Sequence, residues 1–466
     1  MYLQKLGPLL LGAIVMTGCS DDSSDKHQPE IPLPVTPPPS SLTIVPMGTP
    51  EGAPGEMLPL IFRVIMIKPQ PEPVNIQYET SGVTATGDDD YLDTMGEATI
   101  APGELETTIT VDLIGDAEEE PAETFLLSFT TSDNVVATTE EVLGTLSNDD
   151  TACDAPFSKD PNPWIVGDAD PLNYAHRGGV TDFPENTIYA YAEVAIAGAD
   201  VLEMDVYQTA DNELVVLHDL DVDRTTNGSG NVVDLTLAEI RELDAAYWFV
   251  QDAGTPHDRP DEDYLFRGIA TGDVLPPTGY TPEDFRIPTL EEILQRFPHE
   301  LINLELKPDL DGEGNYEQQI ADLLQRYGRS TDIIAASFVD EAAINFKTAA
   351  PCVHTSVPLG EAATLILTAL ATGAMPPVPE HVSFQVPPDT DEIGGGQIPD
   401  GLFIDIVTPE FVAASHATNL AVQVWTINTC EEMLRMMALG VDAIMTDRPL
   451  LLEELLNMPP EDRSCN

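Results

Sequence analysis

The hydrophobic pattern of the chain changes its period near residue 150. Before that point apolar and polar residues alternate, as in residues 58–67 and 107–113, with turn residues between the runs. Beyond residue 170, short apolar runs alternate with amphipathic segments of helical period. Alternation with a period of two is typical of antiparallel sandwiches, whereas repeated strand–helix units are typical of parallel sheets covered by helices. The sequence therefore predicts a multidomain chain, with an all-β sandwich of about seven strands over residues 42–150 and an α/β domain over residues 151–466.

Several candidate strands of the α/β domain end in polar or charged residues. This favours a closed (β/α)8 TIM barrel over an open, doubly wound sheet. Residues 250–288, rich in Asp, Pro and Gly, form an insertion too long for a routine connection. The candidate strands are 172–176, 201–206, 214–218, 301–306, 333–337, 381–384, 402–404, 422–427 and 443–446, and the clearest helices are 187–197, 289–297, 316–327, 409–417 and 431–439.

The amino terminus has the features of an export signal. Residues 1–18 hold one basic residue, Lys5, and then an apolar run that is too short to stay in a bilayer as a span. The Thr17-Gly18-Cys19 ending resembles a bacterial lipoprotein signal, which implies lipidation of Cys19; an ordinary secretory signal with an incidental cysteine is the alternative. Residues 19–41 are a Ser/Asp/Pro-rich linker. We therefore expect an extracytoplasmic protein, lipid-anchored in the bacterial cell envelope.

The charge of the chain excludes several partners. With 81 acidic and 19 basic residues, the formal net charge is −62. Such a chain is repelled by nucleic acid and by anionic lipid surfaces, so we expect no nucleic-acid partner and membrane attachment only through lipid on Cys19. An anionic substrate would require the few basic residues, or a metal ion, to be gathered at one site.

Besides Cys19, the chain contains Cys153, Cys352, Cys430 and Cys465. Outside the cytoplasm these could form two disulfides in any of three pairings. Because Cys153 and Cys465 bracket the α/β domain, a Cys153–Cys465 bond is preferred; the spacings suit no metal site.

Acidic clusters lie between the predicted strands of the sandwich, at residues 88–90, 116–120 and 148–150, and no Lys or Arg occurs between residues 70 and 158. Oxygen ligands from several loops are what Ca²⁺ requires, although a solvated acidic face is the alternative. Through residues 50–52, 87–91, 101–104 and 115–125 the module resembles a Calx-beta domain. That resemblance implies a Ca²⁺ site in the sandwich. The module is also expected to bind a surface or a protein partner. The implied ligands are Glu51, Asp90, Asp116, Glu120 and Asp150.

The strand ends of the α/β domain carry groups suited to phosphodiester chemistry. Glu203 and Asp205 stand two apart on one predicted strand, so both point into the barrel mouth, and Glu305 from another strand completes an oxygen cage for Ca²⁺ or Mg²⁺. Fixed positive charge for a phosphate is available from Arg177 and Lys307, and His176 and His218 can carry protons near neutral pH. The predicted chemistry is metal-assisted phosphodiester cleavage.

These residues lie in motifs that resemble the glycerophosphodiester phosphodiesterase family, a (β/α)8 barrel, from about residue 173 to residue 452. The matching segments are 176–178, 184–187, 203–205, 209–219, 224–226, 287–292, 305–307, 424–428 and 440–449. The resemblance implies that His176 and His218 are the general acid and base, that Glu203, Asp205 and Glu305 hold the metal, that Arg177 and Lys307 bind phosphate, and that Trp425 lines the glycerol pocket.

The implied reaction converts glycerophosphodiesters to glycerol 3-phosphate and an alcohol through a cyclic phosphate. Gly179 and the 250–288 insertion depart from the family pattern, and the insertion leaves the headgroup preference open. Two alternatives remain: phospholipase D-like cleavage of lysophospholipids on the same barrel, and a calcium-dependent surface binding protein with an inactive barrel.

Other polar residues near these motifs have structural interpretations. Asp219 and Glu185 are expected to be hydrogen-bond partners, Asp447 to fix the last strand–helix turn, and Trp425 is equally compatible with core packing. The remaining histidines are expected to be structural: His257, His299, His354, His381 and His416.

Overall fold

The computed structural model describes residues 40–465 except 132–134, 151–152, 154–155, 308–315 and 391–402. The predicted signal peptide, Cys19 and residues 20–39 of the linker lie outside the described residues. Among the described residues, no helix combines the length and apolar character needed to cross a membrane.

A two-sheet β-sandwich occupies the first part of the described chain, as predicted. One sheet has the order β6-β3-β1-β8 and the other β2-β9-β7-β4-β5. Alternate residues of the long strands are buried, and the core includes Phe62, Tyr91 and Phe125, with Tyr91 stacked on Phe125 at 4.5 Å. The described residues of the sandwich form nine strands instead of about seven, because segments of three or four residues, such as β8 and β2, suffice for a strand when neighbours pair with them. The strands are β1 (Ser40–Ile44), β2 (Met47–Pro50), β3 (Met57–Met66), β4 (Val74–Gly82), β5 (Met95–Ile100), β6 (Glu106–Ile114), β7 (Glu123–Thr131), β8 (Val135–Ala137) and β9 (Glu141–Ser147).

A parallel barrel follows the sandwich, in the order β15-β14-β13-β11-β10-β18-β17-β16. The Ser356–Ser383 bridge joins the two end strands and closes it, which confirms the barrel over the open sheet. The strands of this region are β10 (Leu172–Ala175), β11 (Val201–Gln208), β12 (Leu214–Val216), β13 (Leu301–Leu306), β14 (Ile333–Ala336), β15 (His354–Thr355), β16 (Ser383–Val386), β17 (Ala421–Val424) and β18 (Ala443–Thr446).

One predicted strand is present but lies outside the barrel, and another prediction was wrong. β12 pairs antiparallel with β11 as a hairpin and is not a barrel strand, so the place of the missing strand is taken by the two-residue β15. Phe403 and Ile404 lie outside any strand, and residue 402 lies outside the described residues. Periodicity could not separate these cases, because a short hairpin arm and a buried barrel strand are both brief apolar runs.

Helices cover the barrel between its strands, and the five predicted ones are present to within about one residue at each end. Capping residues explain several starts: Thr187, Thr289, Thr408 and Thr429 each accept a hydrogen bond from a backbone N–H of the first turn. The helices are α1 (Ile188–Ala197), α2 (Leu237–Ile240), α3 (Leu290–Arg296), α4 (Tyr316–Arg326), α5 (Asp340–Ala349), α6 (Leu359–Thr372), α7 (Pro409–Ala417), α8 (Cys430–Leu439) and α9 (Pro449–Leu456).

The disulfides are Cys153–Cys352 and Cys430–Cys465, so the preferred Cys153–Cys465 pairing was wrong. The first bond ties the segment entering the barrel to the α5–β15 connection, and the second ties the start of α8 to the end of the described chain. Sequence order alone cannot decide a pairing, because closure depends on which loops the fold brings together.

The sandwich packs on the amino-terminal side of the barrel strands. Arg63 of β3 pairs with the buried Asp284, at 3.4 Å, and Thr145 of β9 hydrogen-bonds His299, which precedes β13, at 2.8 Å. This leaves the opposite, carboxyl-terminal end of the barrel strands, where the candidate site lies, free of the sandwich.

Candidate active site

His176 and Arg177 directly follow β10, in a tight turn at the mouth of the barrel. Arg177 has φ +53°, and its backbone N–H donates to Glu203 Oε2 at 2.8 Å. Gly179 has φ +89°, and a Cβ there would lie 2.9 Å from Pro449 Cγ. The second glycine is therefore required by the turn, because a side chain would be strained and would clash with α9.

His176 is held by a carboxylate that directly follows the neighbouring barrel strand, β18. Its Nδ1 lies 2.5 Å from Asp447 Oδ1, and Asn428 Nδ2 donates to Asp447 Oδ2 at 2.6 Å. The bond to His176 lowers the pKa of Asp447 although burial opposes this. Asp447 thus does more than fix a turn: it orients the imidazole so that Nε2 faces the cavity.

His218 has an equivalent carboxylate partner within its own loop, after β12. Its Nδ1 lies 2.6 Å from Asp219 Oδ1, while Arg224 Nε donates to Asp219 Oδ2 at 2.5 Å. Arg224 also forms two hydrogen bonds of 2.7 Å with the buried Glu185. Burial lowers the pKa of His218, and the bond to Asp219 opposes that shift. Asp219 and Glu185 are hydrogen-bond partners, as expected.

The three predicted metal ligands converge on one point. Glu203, Asp205 and Glu305 each place an oxygen within 4.8 Å of the others. Burial, then repulsion from Asp205, raises the pKa of Glu203 well above its ordinary value and that of Glu305 to about 7. Burial also disfavours ionised Asp205, but Lys307, His218 and Arg177 outweigh it and lower its pKa.

The cluster of three carboxylates, Glu203, Asp205 and Glu305, fits a hard divalent cation. Its donors are all oxygens, which is the ligand type of Ca²⁺ and Mg²⁺. Asp205 Oδ2 is buried and accepts no hydrogen bond from the described residues. Buried carboxylates whose proton affinity is raised by mutual repulsion are those that a cation stabilises most. The described residues can therefore hold one divalent metal here; they do not select between the two ions.

The two predicted phosphate ligands differ in position. Arg177 lines the cavity at the barrel mouth and lies 3.5 Å from Glu185 and 3.7 Å from Asp205. Lys307 is instead engaged with carboxylates, with Nζ 2.6 Å from Glu305 and 3.0 Å from Asp205. Arg177 is thus placed to contact a ligand directly. Lys307 instead balances the negative charge of Glu305 and Asp205.

The cavity has a volume of about 560 Å³ and includes both histidines, Glu203 and Glu305 among its lining residues. Trp425 also lines it, packed edge-on against Phe338 at 5.4 Å, so the ligand-facing position predicted for Trp425 is available. Polar groups and apolar walls in one concave site are typical of a binding pocket for an organic ligand.

The remaining histidines lie outside this cavity, and each has another partner. His257 stacks on Trp248. The other four form hydrogen bonds: His299 with Thr145, His354 with Trp164, His381 with Thr355 and His416 with Asp442. Structural roles are consistent with each of these contacts.

The predicted calcium ligands of the sandwich form two groups instead of one. Glu51, Asp116 and Asp150 make one group, and Asp90 and Glu120 join Glu123 in the other. Burial, and then the charges of Asp116 and its neighbours, raises the pKa of Glu51 to about 8. Asp150 Oδ2 is buried with no hydrogen bond from the described residues. These oxygen groups can hold divalent ions at the sandwich loops.

Sequence reasoning missed four supporting residues: the roles of Asp447, Asn428 and Arg224 at the histidines, and Glu123 in the sandwich. Asn428, Arg224 and Asp447 lie inside the segments that resemble the family. The sequence therefore marked these residues, but it did not show that they hydrogen-bond to the histidines or to each other. Glu123 begins β7 and lies inside the segment that resembles a Calx-beta domain, but it was not among the implied ligands.

Comparisons with known proteins support both resemblances. Residues 176–451 match the model of the glycerophosphoryl diester phosphodiesterase family, and residues 59–151 match that of the Calx-beta domain. A glycerophosphodiester phosphodiesterase of Caldanaerobacter subterraneus subsp. tengcongensis is 30% identical over 289 residues, 62% of this chain and 97% of that protein. One from Bacillus subtilis is 30% identical over 290 residues, 61% of this chain and 86% of that protein. A lysophospholipase D of Rattus norvegicus is 24% identical over 308 residues, 61% and 85% of the two chains.

Proposed function

Because this chain belongs to the glycerophosphoryl diester phosphodiesterase family, we propose that it hydrolyses glycerophosphodiesters to glycerol 3-phosphate and an alcohol. One observation carries the proposal. His176 and His218, each paired with its own carboxylate, face one cavity together with the group of three buried carboxylates. This arrangement provides two proton carriers and a cation site around one cavity.

The two histidines would divide the proton transfers. One takes the proton of the glycerol 2-hydroxyl as that oxygen bonds to phosphorus, the P–O bond to the alcohol breaks, and the other histidine protonates the departing oxygen. Water then opens the cyclic phosphate, with the two histidines in reversed roles. Arg177, fixed by Glu185 and Asp205, would donate hydrogen bonds to the phosphate oxygens.

Glu203, Asp205 and Glu305 would hold the divalent metal. When bound, the ion would supply positive charge to the phosphate and keep all three carboxylates ionised. Lys307 would balance their charge from its contacts with Glu305 and Asp205.

The direct test is a substrate panel with and without a chelator. We expect glycerol 3-phosphate from glycerophosphocholine and glycerophosphoethanolamine, abolished by EDTA and restored by Ca²⁺ or Mg²⁺. A release that is equally low in wild type and in His176→Ala would instead favour the surface binding protein. The lysophospholipid alternative uses the same catalytic residues. It differs only in the part of the substrate that lies beyond them in the cavity.

Asp219→Asn should lower kcat on the order of 100-fold with little change in KM. Asp219 stabilises the protonated form of His218, so its loss should lower the pKa of His218 further. The limb of the pH–rate profile that belongs to His218 then moves to lower pH. If the acidic limb moves, His218 is the general base; if the basic limb moves, His218 is the general acid. A purely structural role for Asp219 would lower stability and leave both limbs in place.

We propose that the sandwich binds calcium, and that its affinity falls as the pH is lowered from about 8 to about 6. Glu51, with its pKa raised to about 8, holds a proton at neutral pH, which Ca²⁺ must displace. The metal-free folded state then binds more protons than the unfolded state between about pH 5 and pH 8, so its stability should fall as the pH rises through that window.

Calcium titration calorimetry at the two pH values, with melting curves of the metal-free protein, measures both effects. Glu51→Gln should remove most of the pH dependence. Equal calcium affinity at both pH values in wild type would contradict the prediction.

We further propose that lipid on Cys19 anchors the protein in the cell envelope. Cys19→Ser should then move it from the membrane fraction to the soluble fraction; unchanged retention in the membrane fraction would contradict the anchor.

A further inference from the structure

The insertion at residues 250–288 approaches the active site without entering its cavity. The structure describes all of these residues, and none of them is among the described residues that line the cavity. The insertion instead contacts Arg224, whose guanidinium binds Asp219, the carboxylate partner of His218. Its most direct route to a catalytic group therefore passes through Arg224.

Two side chains of the insertion bind Arg224 at different atoms. His257 Nε2 donates to the backbone oxygen of Arg224 at 2.9 Å, and Thr255 Oγ1 accepts from Arg224 Nη1 at 3.3 Å. The first bond fixes the backbone from which the side chain extends, and the second fixes the far end of the guanidinium. Between them, Nε is held where it donates to Asp219.

His257 is exposed, yet its ring and its backbone are both held by aromatic residues. The imidazole stacks on Trp248, with 4.1 Å between ring centroids and an angle of 17° between the ring planes. Tyr264 Oη donates to the carbonyl oxygen of Pro256, the residue before His257, at 2.7 Å. Such contacts reduce the conformational freedom that an exposed side chain would lose on binding Arg224.

A single cation connects these aromatic residues. The guanidinium carbon of Arg267 lies 4.8 Å from the ring centroid of Trp248 and 3.8 Å from that of Tyr264, and it also lies over Tyr247 at 4.2 Å. Cation–π attraction draws each ring towards it. Arg267 therefore holds both of the aromatic residues that fix His257. Only 19 of the 466 residues are Lys or Arg, and Arg224 and Arg267 are both used here.

We propose that the insertion positions His218 for proton transfer. His257 is the positioning residue: it holds Arg224, which in turn holds Asp219. The inference rests on the function proposed above and adds a positioning residue to the same site. Without the bond from His257, Arg224 and Asp219 can move together, and a displacement of about 1 Å at a catalytic group can slow a reaction up to about 100-fold.

The test measures kcat and KM for glycerol 3-phosphate release from glycerophosphocholine by the metal-loaded protein. His257→Ala should lower kcat about tenfold, while KM stays within about twofold because Arg177 and the cavity lining are unchanged. His257→Gln keeps a nitrogen donor near the position of Nε2 and should recover most of the wild-type kcat. Asp258→Ala, at the next exposed position of the same segment, should leave both constants unchanged.

A double-mutant cycle tests the route through Asp219. In an Asp219→Ala background the connection from Arg224 to His218 is already broken, so His257→Ala should then lower kcat less than about twofold. The same tenfold loss in both backgrounds would overturn the positioning of His218 through Asp219, since a general loss of stability would act alike in both.

The outcomes distinguish this inference from the function on which it rests. Release by wild type with kcat unchanged in His257→Ala overturns the positioning role and leaves the proposed function standing. A rise in KM with unchanged kcat also overturns it, because Arg224 would then act through Glu185 on Arg177 and not on His218. No metal-dependent release by wild type overturns the proposed function, and this inference with it.

Discussion

Replacing His218 or His176 with alanine should lower kcat for glycerol 3-phosphate release by 10² to 10⁴-fold, roughly the range of general acid–base catalysis. Each imidazole has one nitrogen bound to a carboxylate and the other directed at the cavity, so alanine removes a proton carrier without removing a charge from the carboxylate cage. KM should change little, because Arg177 and the cavity walls remain.

His416→Ala is the matched control. His416 is partly exposed on α7, is also paired with a carboxylate, Asp442, and lies outside the cavity. Its removal should leave kcat within about twofold of wild type. The double variant His176→Ala/His218→Ala should be only slightly slower than the slower single variant, because residues that act as one unit are not additive. Multiplicative losses, or a control as slow as the test variants, would contradict the assigned roles.

Glu305→Gln should abolish the metal dependence of the reaction and lower kcat about 10³-fold or more, since a cation supplies several kcal/mol of charge stabilisation. Glutamine keeps the size of Glu305 and an oxygen acceptor for Lys307, while the lost charge weakens the oxygen cage. Lys307 also keeps its contact with Asp205, so the fold should persist.

Metal binding gives a readout separate from activity. Because the sandwich groups are expected to bind calcium as well, Glu305→Gln should lose one bound ion per chain and retain the others in titration calorimetry. Glu461→Gln, at an exposed position near the end of the described chain, should retain full stoichiometry. Unchanged stoichiometry in Glu305→Gln would show that the barrel carboxylates do not hold the ion.

The overall architecture was predictable because hydrophobic period reports directly on which face of an element is buried. The α1 and α3 regions were located to within a residue, since Thr187 and Thr289 are capping residues that begin an amphipathic run. β15 was missed because it has only two residues, and its closure of the barrel depends on neighbours far apart in sequence.

The candidate site was predictable as a set of residues but not as a set of contacts. His176, Glu203, Asp205 and Glu305 converge because the carboxyl ends of parallel strands meet at one end of a barrel. The bond between His176 and Asp447 could not be read from spacing, because it joins the first and last barrel strands. His218 was placed correctly for the wrong reason: it extends from a hairpin, not from a barrel strand.

We expect this site to break the P–O bond to the headgroup alcohol, so that the phosphate stays on glycerol. Phosphorus-31 NMR of glycerophosphocholine incubated with the metal-loaded protein tests it most directly, because each possible product has its own resonance. The account predicts glycerol 3-phosphate, with a cyclic glycerophosphate as a transient, and no signal change in EDTA or with His176→Ala. Phosphocholine as the product, or unchanged substrate with either metal, would contradict it.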